Sequence, residues 1–80
     1  MEMNAIEVLT EDKIARAAYK LLDRPMRLVE LRDALRQHGI LVSYTRLKKV
    51  IDQLVEEGLV SCFKYGKAVM YIKKEIINYN

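Results

Sequence analysis

The sequence predicts a mainly α domain with a β-hairpin at its C-terminal end: three helices, then two antiparallel strands. Three observations carry this. Apolar residues recur at helical spacing in three separate segments before Gly58. Pro25 and the isolated glycines 39 and 58 punctuate those segments. After Gly58 the composition turns to Val, Phe, Tyr and Ile on either side of Gly66-Lys67, and Gly-X is the two-residue loop of a type II′ hairpin.

Residues 1–9 are expected to form a short N-terminal arm or an extra helical turn, because Ile6, Val8 and Leu9 are too few to set a period. Thr10 then reads as a helix N-cap, with Glu11 and Asp12 placed to complement the helix dipole. Ile14, Ala17, Ala18, Leu21 and Leu22 make one apolar stripe, so the first helix covers 10–23. Pro25 disfavours helical geometry at Arg24 and stops it.

Met26-Arg27-Leu28 reads as a short extended piece or a turn. The second helix covers 29–38, with Leu31, Ala34 and Leu35 inward, Leu28 beside them and Gly39 as its stop. Ile40-Leu41-Val42 is too short for a paired strand of consequence. Ser43 is the next N-cap. Leu47, Val50, Ile51, Leu54 and Val55 give the cleanest helical stripe in the chain, over 43–57. The hairpin covers 59–73, in a register that sets Lys64 opposite Val69, Phe63 opposite Met70 and Cys62 opposite Tyr71. A tail, 74–80, carries Ile76, Ile77 and Tyr79. No linker divides the chain, so 1–80 is expected to be a single domain.

Composition narrows the function. The chain is 51% hydrophobic and 31% charged, with one Pro and three Gly, which excludes disordered and low-complexity classes. No apolar run approaches the ~20 residues of a membrane span. The start, Met1-Glu2-Met3-Asn4, lacks the basic and apolar regions of a secretory signal, and a lone Cys62 forms no internal disulfide. A reduced, cytoplasmic protein is the expectation. With one His and one Cys, no four-ligand nitrogen/sulfur zinc site can be assembled within the chain, and the glycines form no phosphate loop. Neither catalysis nor a cofactor is expected.

The net charge is +3. Residues 1–42 hold seven basic and seven acidic side chains, whereas 43–74 hold seven basic and three acidic. An excess gathered in one half is what a polyanion-binding face leaves in a sequence.

Two helices joined by about four residues containing Gly form a helix-turn-helix unit. The run Leu31-Arg32-Asp33-Ala34-Leu35-Arg36-Gln37-His38-Gly39-Ile40, then Val42-Ser43, Arg46-Leu47 and Leu54-Val55-Glu56-Glu57-Gly58-Leu59-Val60, leads into a hairpin with Gly66 at its tip and Tyr71 on the return strand. Over 26–73 this resembles the winged helix-turn-helix transcriptional regulators of bacteria and archaea. The resemblance implies that the third helix is a recognition helix in the major groove of double-stranded DNA and that the hairpin is a wing on the minor groove or backbone.

On that geometry Arg46 and Lys49 are placed for guanine edges and Gln53 for adenine. Ser43 and Tyr44 are placed for phosphates, with Thr45 and Lys48 beside them. The wing tip offers Lys64, Tyr65 and Lys67. The function implied is sequence-specific regulation of transcription by a homodimer without a small-molecule effector. The competing readings are a winged-helix protein-interaction module of a transcription or replication assembly, and a nonspecific, chromatin-like DNA binder. Tyr71 is expected in the core, Phe63 and Met70 in the core or an interface, Cys62 buried or half-buried, and His38 at a helix end.

Overall fold

In the computed structural model the backbone of residues 5–74 and the side chains from Lys13 to Lys74 are described. Three helices, α1 (Ala5–Leu21), α2 (Leu28–Gln37) and α3 (Tyr44–Glu56), precede two strands, β1 (Val60–Tyr65) and β2 (Ala68–Lys73). The strands pair antiparallel, and the fold is the three-helix, winged topology.

The first helix starts earlier than the 10–23 expected. Residues 5–9 are helical, as in the helical alternative for that end, and Thr10 lies inside the helix instead of capping it, while residues 1–4 lie outside the described residues. Ala5, Glu7 and Leu9 are good helix formers, which favours helix at these positions. The tail beyond Lys74 lies outside the described residues, as does any role of Ile76, Ile77 and Tyr79.

Helix ends follow from local chemistry. Arg27 precedes α2, and its backbone N–H donates to Glu30 Oε1 at 2.8 Å. That hydrogen bond, with the nearby guanidinium second, lowers the pKa of Glu30. Ser43 Oγ accepts from the Arg46 N–H at 3.2 Å and caps α3. The C-terminal ends of α2 and α3 are closed alike. Ile40 N–H reaches Leu35 O and Gly39 N–H reaches Arg36 O; Leu59 N–H reaches Leu54 O and Gly58 N–H reaches Val55 O. This is the Schellman pattern, which puts the residue after the cap in the left-handed region, and both glycines have φ +80°. A Cβ at either would meet nothing within 4 Å, so the cost of one is conformational. Gly39→Ala and Gly58→Ala are each expected to cost about 1 kcal/mol, read by urea unfolding.

The core is built from one face of each helix: Ile14, Ala18 and Leu22 of α1 and its exit, Leu28, Leu31 and Leu35 of α2, and Leu47, Val50, Ile51 and Leu54 of α3. Val60 and Tyr71 close it from the hairpin. All thirteen buried core residues are apolar or aromatic, and no charged side chain is buried among the described residues. No helix among those residues is long and apolar enough to cross a membrane.

The hairpin register is the one expected, with Cys62 opposite Tyr71, Phe63 opposite Met70 and Lys64 opposite Val69. Gly66 has φ +63° and Lys67 does not take a positive φ, the backbone signature of a type II′ loop with Lys67 in second place. The sequence did not announce a third contribution to this sheet. Met26 and Tyr71 exchange backbone hydrogen bonds of 2.9 and 2.8 Å, so the short extended piece after Pro25 docks on the free edge of β2. Lys73 N–H adds a bond to Leu22 O at 2.9 Å. These bonds tie the wing to the end of α1.

Tyr71 is buried, as expected. Cys62, opposite it, is exposed, in place of the buried position expected. The hairpin projects past the helices after Val60, so alternation along β1 no longer separates core from solvent. Burial first, and the neighbouring Cys62 thiol second, raise the Tyr71 pKa above its usual value near 10. The folded chain therefore holds that proton more tightly than the unfolded chain. Stability complete below about pH 10 falls as pH rises through the raised value. Tyr71→Phe is expected to lose less stability than the parent between neutral and strongly alkaline pH, as read by urea titration at each pH.

Candidate nucleic-acid interface

With Leu47, Val50, Ile51 and Leu54 packed inward, the rest of α3 is fixed in orientation. Thr45, Lys49 and Gln53 follow one another at a spacing of four along the outward side, and all three are exposed. The apolar stripe alone sets this, because turning α3 to hide Lys49 would bring Leu47 and Ile51 into water.

The other expected site residues divide. Ser43 and Tyr44 stand exposed at the start of α3, where the N–H groups of the first turn face outward. Lys48 is exposed but is held by Asp52 one turn on, with Nζ–O distances of 2.8 and 3.0 Å. That hydrogen bond raises its pKa, and it also neutralises the charge locally. Arg46 is half-buried, and its Nε is shielded from solvent without a hydrogen-bond partner. Thr45, Lys49 and Gln53 are exposed and carry neither constraint. At the hairpin tip Lys64, Tyr65 and Lys67 are all exposed, Tyr65 to 76%. Phe63, expected in the core or an interface, is 39% exposed, while Met70 is half-buried. His38 is the exposed C-cap of α2, at the helix end as expected.

The fold also refines the charge distribution. The segment 43–59, holding α3, has three basic and three acidic side chains. The segment 60–74, holding the hairpin, has Lys64, Lys67, Lys73 and Lys74 and no acidic residue. The positive excess of the C-terminal half therefore belongs to the wing. Lys73 is partly engaged, its Nζ lying 5.6 Å from the centre of the Tyr19 ring.

One feature escaped the sequence-based reading. Arg32 and Arg36, one turn apart on α2, line an open cleft of about 310 Å³ with Ile40, Leu41, Val42 and Ser43. Arg36 has only a 4.0 Å contact with Asp33. Their spacing of four beside the turn was the available signal. Among the described residues no group of His, Cys, Asp and Glu is arranged to hold a metal ion.

Comparison with known proteins bears on this geometry. No curated protein matches the chain. Among solved structures, the zinc uptake regulator FurB from M. tuberculosis superposes with a TM-score of 0.76 at 20% identity, over 88% of this chain and 57% of FurB. The chain therefore spans little more than half of that protein. HlyU from Vibrio cholerae N16961 superposes with a TM-score of 0.58 at 23% identity, over 94% of this chain and 83% of HlyU. At these identities both show the fold alone. A structure of HOP2, described in terms of its DNA recognition and protein interaction domains and of homologous DNA pairing, gives a TM-score of 0.64 at 25% identity over 81% of this chain and 98% of that one.

The resemblance to bacterial and archaeal regulators thus holds at the level of the winged-helix fold, and the family match is more particular. Residues 10–74, which run from within α1 through α2, α3 and the whole hairpin, match the TBPIP/Hop2 winged helix domain. The chain belongs to the TBPIP/Hop2 winged helix domain family.

Proposed function

We propose that the chain acts as one winged-helix domain that binds duplex DNA, with α3 in the major groove and the wing lysines on the flanking backbone, and that it serves a DNA-handling assembly with little dependence on sequence. The observation that carries this is the outward Thr45–Lys49–Gln53 stripe standing beside a hairpin without a single acidic residue. Phosphate contacts from lysine supply affinity without reading sequence. The HOP2 likeness, with its DNA recognition and homologous DNA pairing, supports that reading over regulation at one operator.

The second reading is a sequence-specific transcriptional regulator acting as a homodimer, since one winged helix covers only one half-site. It is favoured by the exposed Lys49 and Gln53, whose side chains suit guanine and adenine edges. Competition separates the two. A labelled duplex drawn from a random pool by repeated selection is challenged with an unlabelled scrambled duplex of equal length. The sequence-tolerant module predicts nearly equal competition. A regulator predicts a preference of about a thousandfold or more. Absence of duplex binding even at low salt overturns both.

A further inference from the structure

The hairpin has two faces, and the buried Val60 and Tyr71 share one of them. Along β1, Val60, Cys62 and Lys64 alternate with Ser61, Phe63 and Tyr65, and their β2 partners alternate with them. Val60 and Tyr71 are buried, so the first set faces the helices. The second face presents Phe63 and Tyr65 on β1 and Ala68, Met70 and Ile72 on β2, with Ser61 as its polar member and no charge. Its two aromatic rings are exposed, while Ser61, Ala68, Met70 and Ile72 are half-buried and lie outside the core. The charged residues of the segment 60–74 are all lysines. Lys67 stands in the turn, and Lys74, whose N–H bonds Leu59 O at 2.9 Å, lies just past the base of β2.

We infer that this outer face of the wing is a stacking platform for the unpaired bases of single-stranded nucleic acid. Phe63 and Tyr65 are two residues apart on one strand, so their rings are set about 6.7 Å apart along it. That is twice the ~3.4 Å rise of one strand in a duplex, and it lets each ring take one base of an extended strand. The ligand that fits must be flat and apolar on its bases and anionic along its backbone, because the face is uncharged and every charged residue of the segment 60–74 is a lysine. A single strand has both properties. A duplex keeps its base faces stacked inside. The Phe63 ring is separate from the Thr45–Lys49–Gln53 stripe of α3, while the wing lysines serve both readings, so Phe63 variants test the platform and Lys49 and Gln53 variants test the duplex site.

The test uses the intact chain with a short labelled oligo(dT), a short labelled oligo(U) and a labelled duplex, all followed by anisotropy. The chain has no Trp and five Tyr, so quenching of tyrosine emission reports stacking in the unmodified protein. Oligonucleotide binding with tyrosine quenching is expected. Phe63→Leu keeps an apolar side chain but removes a ring, and should weaken oligonucleotide binding about tenfold while duplex binding is unchanged. Tyr65→Ser should weaken oligonucleotide binding similarly. Lys49→Ala with Gln53→Ala should spare the oligonucleotides and weaken the duplex. The oligo(dT) and oligo(U) arms tell DNA from RNA as the strand preferred. The proposal is overturned if neither oligonucleotide binds while the duplex does, or if Phe63→Leu, still folded by its thermal transition, binds both oligonucleotides like the parent. It is also overturned if an acidic peptide quenches the tyrosines and the oligonucleotides do not, which would make the face a protein-docking surface.

Discussion

Leu47→Ala is expected to destabilise the domain by about 3 kcal/mol. Leu47 is fully buried on the inward face of α3, beside Val50, Ile51 and Leu54. Truncation removes three methyl or methylene-scale groups and leaves a void that a close-packed interior fills poorly. A chain of eighty residues has a total stability of about 4–12 kcal/mol, so the loss is a large fraction of it. The melting temperature should fall by roughly 12–24 °C. Circular dichroism through a thermal ramp checks this. A shift of only a few degrees would mean that α3 does not pack through this stripe, and the outward placement of Lys49 would lose its basis.

Removing the two tip lysines is expected to change DNA binding more than any other surface substitution. Lys64→Gln with Lys67→Gln takes away half of the four positive charges on the acid-free segment 60–74. Each lysine on a phosphate contributes about −0.9 to the slope of log K against log salt, so the pair should make the slope shallower by about 1.8. Affinity at low salt should drop at least tenfold, since two charge-assisted contacts are lost. Arg46→Ala with Lys49→Ala should also weaken binding, with Lys49 dominating because Arg46 is half-buried and Lys49 is free. Titrations at several salt concentrations yield both quantities. An unchanged slope for the tip variant would place the wing off the DNA.

Much of the fold was legible because most elements carry a period that only one structure satisfies. The α3 stripe, the Ser43 cap and the Gly39 and Gly58 stops are local chemistry, and each appears where the residues require it. The hairpin register follows from a two-residue loop, which leaves no freedom to slip. The start of α1 was not legible, because its first turns lack the apolar stripe that marked the other helices. The Met26–Tyr71 pairing was hidden because it rests on backbone hydrogen bonds between residues far apart in sequence. Burial at Cys62 was misjudged because strand alternation says which face a residue takes, but not how far the strand extends beyond the body it packs on.

The candidate site was legible in part for a related reason. The inward stripe of α3 dictates the outward one, so Thr45, Lys49 and Gln53 followed from Leu47 and its neighbours. Pairing among surface charges did not follow. The Lys48–Asp52 bond and the shielded Arg46 Nε depend on side-chain positions that spacing alone leaves open. The Arg32–Arg36 cleft needed the turn after α2 to be built before it existed.

The most direct test of the account is to map the duplex-DNA contact by amide chemical shifts, residue by residue, on the isotope-labelled chain. The largest changes are expected across 44–53 on α3 and 64–67 at the hairpin tip, with α1 unmoved. Changes centred on the exposed side of α1, or none at α3 while the duplex is bound, would contradict it.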